Sequence, residues 1–179
     1  MDFIEIYDDA LPSQNCDKLI EYFNNSPQTR GMVGDYVVDL NQKKSTELGR
    51  SRFSIHQVAR DLIYYYLTSY TNKYVETYYP LQCMSEWGVD DEFTLKKFEG
   101  EDEGYKIWHT EQTNGKSERL LVWMFYLNDA KSGTEFKYFP TVDAKMGRGI
   151  IWPATFTHMH RSESNKGLKY IVSGWMSFF

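Results

Sequence analysis

Two textures of apolar spacing divide the chain. Up to about residue 80 the apolar positions recur at three- and four-residue steps, as on a helix face; beyond Pro80 they fall into short alternating runs. Cys16, Leu19, Ile20 and Phe23 mark one face of a short helix, for which Ser13 offers a cap and Pro27 a stop. Val58, Leu62, Tyr66, Tyr70, Tyr74 and Tyr78 keep a four-residue step and predict a long helix from about Ser54 to Tyr78. Its tyrosine stripe is expected to pack on a sheet, with phenol groups reaching water at the rim. Between the helices, Gly31 to Leu40 alternates as a strand would, and Asn41 to Gly49 reads as polar loop.

After Pro80 come seven β-type runs: Glu92 to Phe98, Tyr105 to Glu111, Arg119 to Leu127, Thr134 to Phe139, Gly149 to Trp152, Thr157 to Arg161 and Leu168 to Phe178. Turn residues stand between them at Asn114-Gly115, Ser132-Gly133, Met146-Gly147 and Asn165-Lys166-Gly167. Leu120 to Leu127 is apolar at both parities, the mark of a strand with barrel interior on one face and helices on the other. The expected fold is mainly β with N-terminal helices: a double-stranded β-helix (jelly roll) buttressed by α-helices. A chain of 179 residues suits one domain, with a helical support region at 1–80 and the jelly-roll core at 81–179.

Charge narrows the partners. Twenty-five acidic against 20 basic side chains give a net charge of −5, with no basic run to track a phosphate backbone, so nucleic acid is not expected as a partner. The opening MDFIEIYDDA is acidic where a signal peptide is basic, and no apolar stretch is long enough for a membrane span; a soluble, cytoplasmic protein is expected. Cys16 and Cys83 have neither CxxC spacing nor a disulfide framework and read as reduced, structural thiols. No feature of the chain bears on oligomeric state.

The chemistry concentrates in two strings, Trp108-His109-Thr110-Glu111 and His158-Met159-His160-Arg161-Ser162. Residues i and i+2 of a strand share a face, so His109 and Glu111 can offer an imidazole and a carboxylate to one ion; His158 or His160 supplies a third ligand. Two histidines and one carboxylate leave coordination positions open, as a non-haem Fe(II) oxygenase requires. On the last strand, alternation places Lys169, Ile171, Ser173 and Trp175 on one face. A lysine turned into a barrel calls for an anion, and Ser173 can add a hydrogen bond to it; a dicarboxylate cosubstrate satisfies both. The rival reading is a non-catalytic jelly-roll module that binds a ligand or a zinc ion, which accepts the same donors but has no use for Lys169 and Ser173. His56 has no motif partner and is expected to be structural or exposed. The acidic stretch Glu99 to Glu103 reads as solvated loop.

In order along the chain, F-E-G-E-D-E-G-Y-K-I-W-H-T-E, R-x6-Y-L-N from Arg119 to Asn128, G-T-E-F at Gly133, H-R-S and K-Y-I-V-S-G-W resemble the 2-oxoglutarate/Fe(II)-dependent oxygenases, in particular the prolyl 4-hydroxylase-like branch. The opening D-x-A-L-P-S-x-x-C is similar to that family's N-terminal region, so the likeness spans most of the chain. The resemblance implies Fe(II) held by His109, Glu111 and His160, and 2-oxoglutarate paired through its distal carboxylate with Lys169, aided by Tyr126 and Ser173. It places His158 at the substrate mouth or behind the ligands. It implies dioxygen as oxidant, ascorbate as a further candidate cofactor, release of succinate and carbon dioxide, and hydroxylation of a prolyl or other peptide, amino-acid or small-molecule substrate. The chain departs from the family at Glu111, where aspartate is usual, and at Phe98, where a tyrosine is common. The superfamily's nucleic-acid demethylases are set aside, because their final strand is arginine-rich and this one reads KYIVSGW.

Overall fold

The computed structural model describes residues 1–34, 37–49, 55–113 and 115–179. In chain order the elements are β1 (Glu5–Tyr7), α1 (Ser13–Asn24), β2 (Thr29–Arg30), β3 (Lys43–Lys44), β4 (Thr46–Leu48), α2 (Gln57–Thr77), β5 (Trp87–Glu99), β6 (Gly104–Tyr105), β7 (Arg119–Tyr126), β8 (Thr134–Phe136), β9 (Gly149–Pro153), β10 (His160–Ser162) and β11 (Leu168–Phe178). Seven strands form one large sheet in the order β1-β9-β7-β11-β5-β4-β2; β10-β8 and β3-β6 make two small sheets. Every pairing is antiparallel. This is the expected jelly roll, with the described N-terminal part contributing four short strands besides the helices.

Period-two alternation on β7 explains the layering. Leu121, Trp123 and Phe125 join a core with Leu19, Phe23, Ile63, Leu67 and Tyr74 of the helices, while Val122, Met124 and Tyr126 enter a second core with Phe136, Ile150 and Trp152. The central strand is therefore buried on both faces, as its unbroken apolar run requires. On β11, Val172, Gly174 and Met176 face the helices; Ile171 packs in the inner core with Trp175 against it. Cys16 is buried, Cys83 exposed, and both are unpaired. No described helix is long and apolar enough to cross a membrane.

Several boundaries differ from the sequence expectation. Pro12 rather than Ser13 occupies the N-cap of α1, and Ser13 is its first helical residue. The expected start of the long helix at Ser54 lies outside the described residues, as does Asn114 of the Asn114-Gly115 turn; α2 begins at Gln57, capped by His56, whose Nδ1 accepts from the Val58 amide at 3.3 Å. The buried line on α2 runs Ala59, Ile63, Leu67, Tyr74, and Val58 is 69% exposed. A strict four-residue step drifts about 40° per step, so no stripe from Val58 to Tyr78 stays on one face. The phenols of Tyr74 and Tyr78 do not reach water at the rim: they donate to the Phe3 carbonyl (2.8 Å) and Glu5 Oε1 (2.7 Å), fixing the N-terminal segment. Gly31 to Leu40 contributes no named strand among its described residues, only a bridge between Val33 and Val37, whereas β3 and β4 lie in the stretch expected to be loop.

Gly174 sits where β11 passes beneath the helix-side core. A Cβ there would lie 2.7 Å from Trp123 Cζ2 and 2.8 Å from Phe93 Cβ. Gly174→Ala is expected to lower unfolding free energy by about 1 to 3 kcal/mol, the usual cost of overpacking, in urea titration followed by tryptophan fluorescence.

Candidate active site

Two reciprocal backbone hydrogen bonds assemble the site. The His109 amide donates to the His160 carbonyl (3.1 Å), and the His160 amide donates to the His109 carbonyl (2.9 Å). The run Tyr105 to Glu111 was expected to be a continuous strand, but only Gly104–Tyr105 pairs as one, followed by this isolated bridge. The reason is a contact with a distant segment: Thr110 Oγ1 and the Gln112 amide both donate to the Ala154 carbonyl, at 2.7 and 2.9 Å, pulling the segment onto the end of β9. His109 and Glu111 still share a side, with Nε2 and Oε1 3.6 Å apart, and His160 Nε2 lies 3.5 Å from the same oxygen. One ligating atom from each of the three fits within 4.8 Å of the others, a group that could hold a metal ion.

The second atom of each group is committed elsewhere. His109 Nδ1 lies 3.0 Å from the Ile107 carbonyl and His160 Nδ1 2.9 Å from the His158 carbonyl, which places the proton on Nδ1 and leaves each Nε2 lone pair facing Glu111. Glu111 Oε2 accepts from Trp175 Nε1 (2.9 Å) and Arg119 (3.2 Å), whose guanidinium stacks 3.5 Å above the Trp175 ring. Tyr105 stacks on His109, centroids 3.6 Å apart. Burial by itself opposes ionisation of Glu111, yet hydrogen bonds and charge from the two imidazoles, whenever these carry a second proton on Nε2, hold its carboxyl well below the usual range. Burial, with His160 beside it, pushes His109 down. A charged carboxylate beside a neutral imidazole is the protonation state that a divalent cation needs.

His158 does not share a strand face with His160. It closes a 3-10 turn, Phe156–His158, stacks on Phe139, and places Nε2 2.7 Å from the Asp2 carbonyl. Only its backbone carbonyl serves the site, by orienting His160.

Behind the cluster lies a cavity lined by all three groups together with Tyr126, Lys169 and Ser173, so the six residues singled out in the sequence converge. Lys169 is 2% exposed and its Nζ lies over the Phe98 ring at 5.2 Å; among the described residues its one hydrogen-bond partner is the Gly133 carbonyl, at a long 3.5 Å. Among the described residues no carboxylate pairs with it, and burial pushes its pKa down to about 8. Phe98, where the resemblance led to the expectation of a tyrosine, thus offers a ring face. The buried Tyr126 hydroxyl shares a 2.7 Å hydrogen bond with Thr134 Oγ1. Trp152 Nε1, buried without an acceptor, belongs to another lining residue. Ser173 Oγ accepts from Lys96 Nζ at 2.7 Å, a contact the sequence did not reveal. Nor did it reveal the buried Lys43–Glu47 ion pair, which lies in the stretch read as loop. Lys43, Lys96, Arg161 and Lys169 line the cavity with Glu111 as its single carboxylate among the described residues, a local surplus of positive charge in an acidic protein.

Comparison with known proteins bears on the fold. No family model matches the chain, and no curated protein matches it. Solved structures do. A prolyl hydroxylase from Trichoplax adhaerens, in complex with a hypoxia inducible factor oxygen degradation domain peptide fragment, superposes with a TM-score of 0.75 over 99% of this chain and 84% of that one, at 13% identity. The fold is that of the prolyl hydroxylases and other 2-oxoglutarate/Fe(II) oxygenases. The viral collagen prolyl hydroxylase of Paramecium Bursaria Chlorella virus-1, in its 2-oxoglutarate complex, gives 0.65 at 16% identity, covering 99% of this chain and 97% of that one. The alpha ketoglutarate dependent epimerase SnoN from nogalamycin biosynthesis gives 0.64 at 11%, covering 99% and 79%.

Lys169 yields a test of the electrostatics. In the unfolded chain it titrates near its ordinary 10.5, in the folded chain near 8, so between these values the unfolded state holds more protons and stability rises with pH. Below pH 8 the whole cost is present. Lys169→Met is expected to stabilise the ligand-free protein by on the order of 2 to 3 kcal/mol at pH 7, a gain that fades toward pH 10.5. Chemical denaturation across that range measures it.

Proposed function

We propose that this protein is a 2-oxoglutarate- and Fe(II)-dependent dioxygenase that hydroxylates a prolyl or other peptide substrate. Lys169 carries the reading: a nearly inaccessible ammonium, without a carboxylate partner among the described residues, lines the cavity that also holds two imidazoles and a carboxylate. A structural zinc site needs the second feature only. A dicarboxylate that reaches from the metal to Lys169 explains both, and the unsatisfied indole N–H of Trp152 leaves a further donor on the lining.

The donor set fits the iron. His109 and His160 would hold it through Nε2 and Glu111 through Oε1, while Lys169, with Tyr126 beside it on the lining, would take the distal carboxylate of 2-oxoglutarate. When bound, iron and cosubstrate supply the activation of dioxygen and the oxidative decarboxylation that yields succinate and carbon dioxide. The chain's own part is positional. The carbonyls of Ile107 and His158 fix the imidazole tautomers; Trp175 and Arg119 hold Glu111 by one oxygen so that the other faces the histidines; Phe98, Trp152 and Tyr105 give the cavity aromatic walls. A second, larger groove runs from His109 and Glu111 past Ile107 to Met32 and Val37, whose side chains give a substrate apolar contacts. The peptide carried by the Trichoplax enzyme supports a peptide substrate; the epimerase of the same fold sets the alternative outcome of the chemistry.

Decarboxylation of 1-labelled 2-oxoglutarate, followed with proline-containing peptides and mass spectrometry of the peptide, tests this. The expected result is Fe(II)-dependent release of carbon dioxide coupled to addition of one oxygen atom. Glu111→Ala and His160→Ala should abolish it, whereas His158→Ala, which keeps the orienting carbonyl, should cost less than the roughly 10- to 100-fold of a lost orienting side chain. Equal loss in His158→Ala and His160→Ala would contradict the assignment.

A further inference from the structure

The dioxygenase reading leaves Lys96 without a role, and the geometry gives it one. On the inner face of the large sheet, β11 presents Lys169, Ile171, Ser173 and Trp175 in sequence. The two ends of this row are already assigned: Lys169 at one, and at the other Trp175, whose indole holds the Glu111 carboxylate. Ser173 stands between them, one strand repeat from Trp175 and two from Lys169. Lys96 of β5, paired across the ladder with Ile171, places its Nζ 2.7 Å from Ser173 Oγ. It lines both the inner cavity and the outer groove. Its neighbour on the other side is Glu47 of β4, directly opposite in register, whose carboxylate Lys43 bonds and the charge of Lys96 also helps to keep ionised.

We infer that Lys96, with Ser173, is a second carboxylate anchor in the cavity and binds the 2-oxo-acid end of the cosubstrate, nearer the metal ligands than Lys169. A keto-acid dianion is then held by a cation at each end, Lys169 at the distal carboxylate and Lys96 at the carboxylate next to the ketone. Ser173 orients the second cation: it accepts from Lys96 and keeps its own hydroxyl proton to donate. This differs from the role that the family resemblance implied for Ser173, which was to assist Lys169. The inference rests on the dioxygenase reading, and the comparison of two ligands separates the two.

Anaerobic titration of the Fe(II)-loaded protein with 2-oxoglutarate, and with 2-oxopentanoate, which lacks the distal carboxylate, reads each dissociation constant from the visible metal-to-ligand charge-transfer band. Lys96→Met is expected to weaken both ligands by at least tenfold, the scale of a lost charge-assisted hydrogen bond, while Lys169→Met weakens 2-oxoglutarate alone. Lys96→Arg should recover most of the affinity for both. Fe(II) affinity and the thermal midpoint, measured in the same variants, distinguish a lost anchor from a damaged fold: the anchor predicts both unchanged in Lys96→Arg and Fe(II) affinity unchanged in Lys96→Met. Unaltered affinity for 2-oxopentanoate in Lys96→Met, with Lys169→Met still selective against 2-oxoglutarate, overturns the role of Lys96 and leaves the dioxygenase reading standing. Absence of the band in the unaltered protein removes that reading and this inference with it.

Discussion

The pair of backbone hydrogen bonds between His109 and His160 is the constraint on which the site depends. It joins a segment that leaves the ladder after β6 to the first residue of β10, and so sets two imidazoles side by side, tilted by 55° with centroids 4.4 Å apart. Everything around it keeps those rings from turning. Carbonyls hold each Nδ1, Tyr105 stacks on one ring, and Phe136 and Trp152 pack the other. Glu111 then needs only one free oxygen, because the other is fixed by Trp175 and Arg119. Side chains restrained in this way lose little entropy on binding a ligand, which is what preorganisation means in physical terms.

The same cavity concentrates cost. A lysine at 2% exposure destabilises the ligand-free fold, and the surrounding jelly roll has to outweigh it. It does so with two hydrophobic layers around one central strand: Trp123 and Phe125 against the helices, Met124 and Tyr126 toward the cavity. The protein thus places the buried Lys169 charge on the inner layer and packs the helices against the outer one. Overall acidity coexists with a cationic interior because the acidic surplus lies largely on the surface, as at Asp39 and Asp102, while Lys43 and Lys169 are buried.

Much of this was legible in the residues. The two-sided apolar run of β7 gave the layering, the alternation on β11 gave the inward face of Lys169, and the histidine strings gave His109 and Glu111 with either His158 or His160, a choice that only the family resemblance narrowed to His160. What was not legible depends on contacts between distant segments. The bend at Thr110 comes from the Ala154 carbonyl, which no local pattern announces. The burial of Lys43 and Glu47 comes from pairing of β3 and β4 with β6 and β5, so a polar stretch reads as loop although it forms a wall of the site. The tyrosine stripe misled because a step of four residues is close to the helical repeat without equalling it. Lys96 was passed over because β5 alternates weakly, and its meaning appears only when Ser173 is placed beside it.

The most direct test is a crystal structure of the protein grown anaerobically with Fe(II) and 2-oxoglutarate, with the metal located by anomalous scattering. The expected result is one iron bound by His109 Nε2, His160 Nε2 and a Glu111 oxygen, with the cosubstrate running from it to the Lys169 ammonium. Iron bound at another place, or a dicarboxylate that leaves Lys169 without an anion, would contradict it.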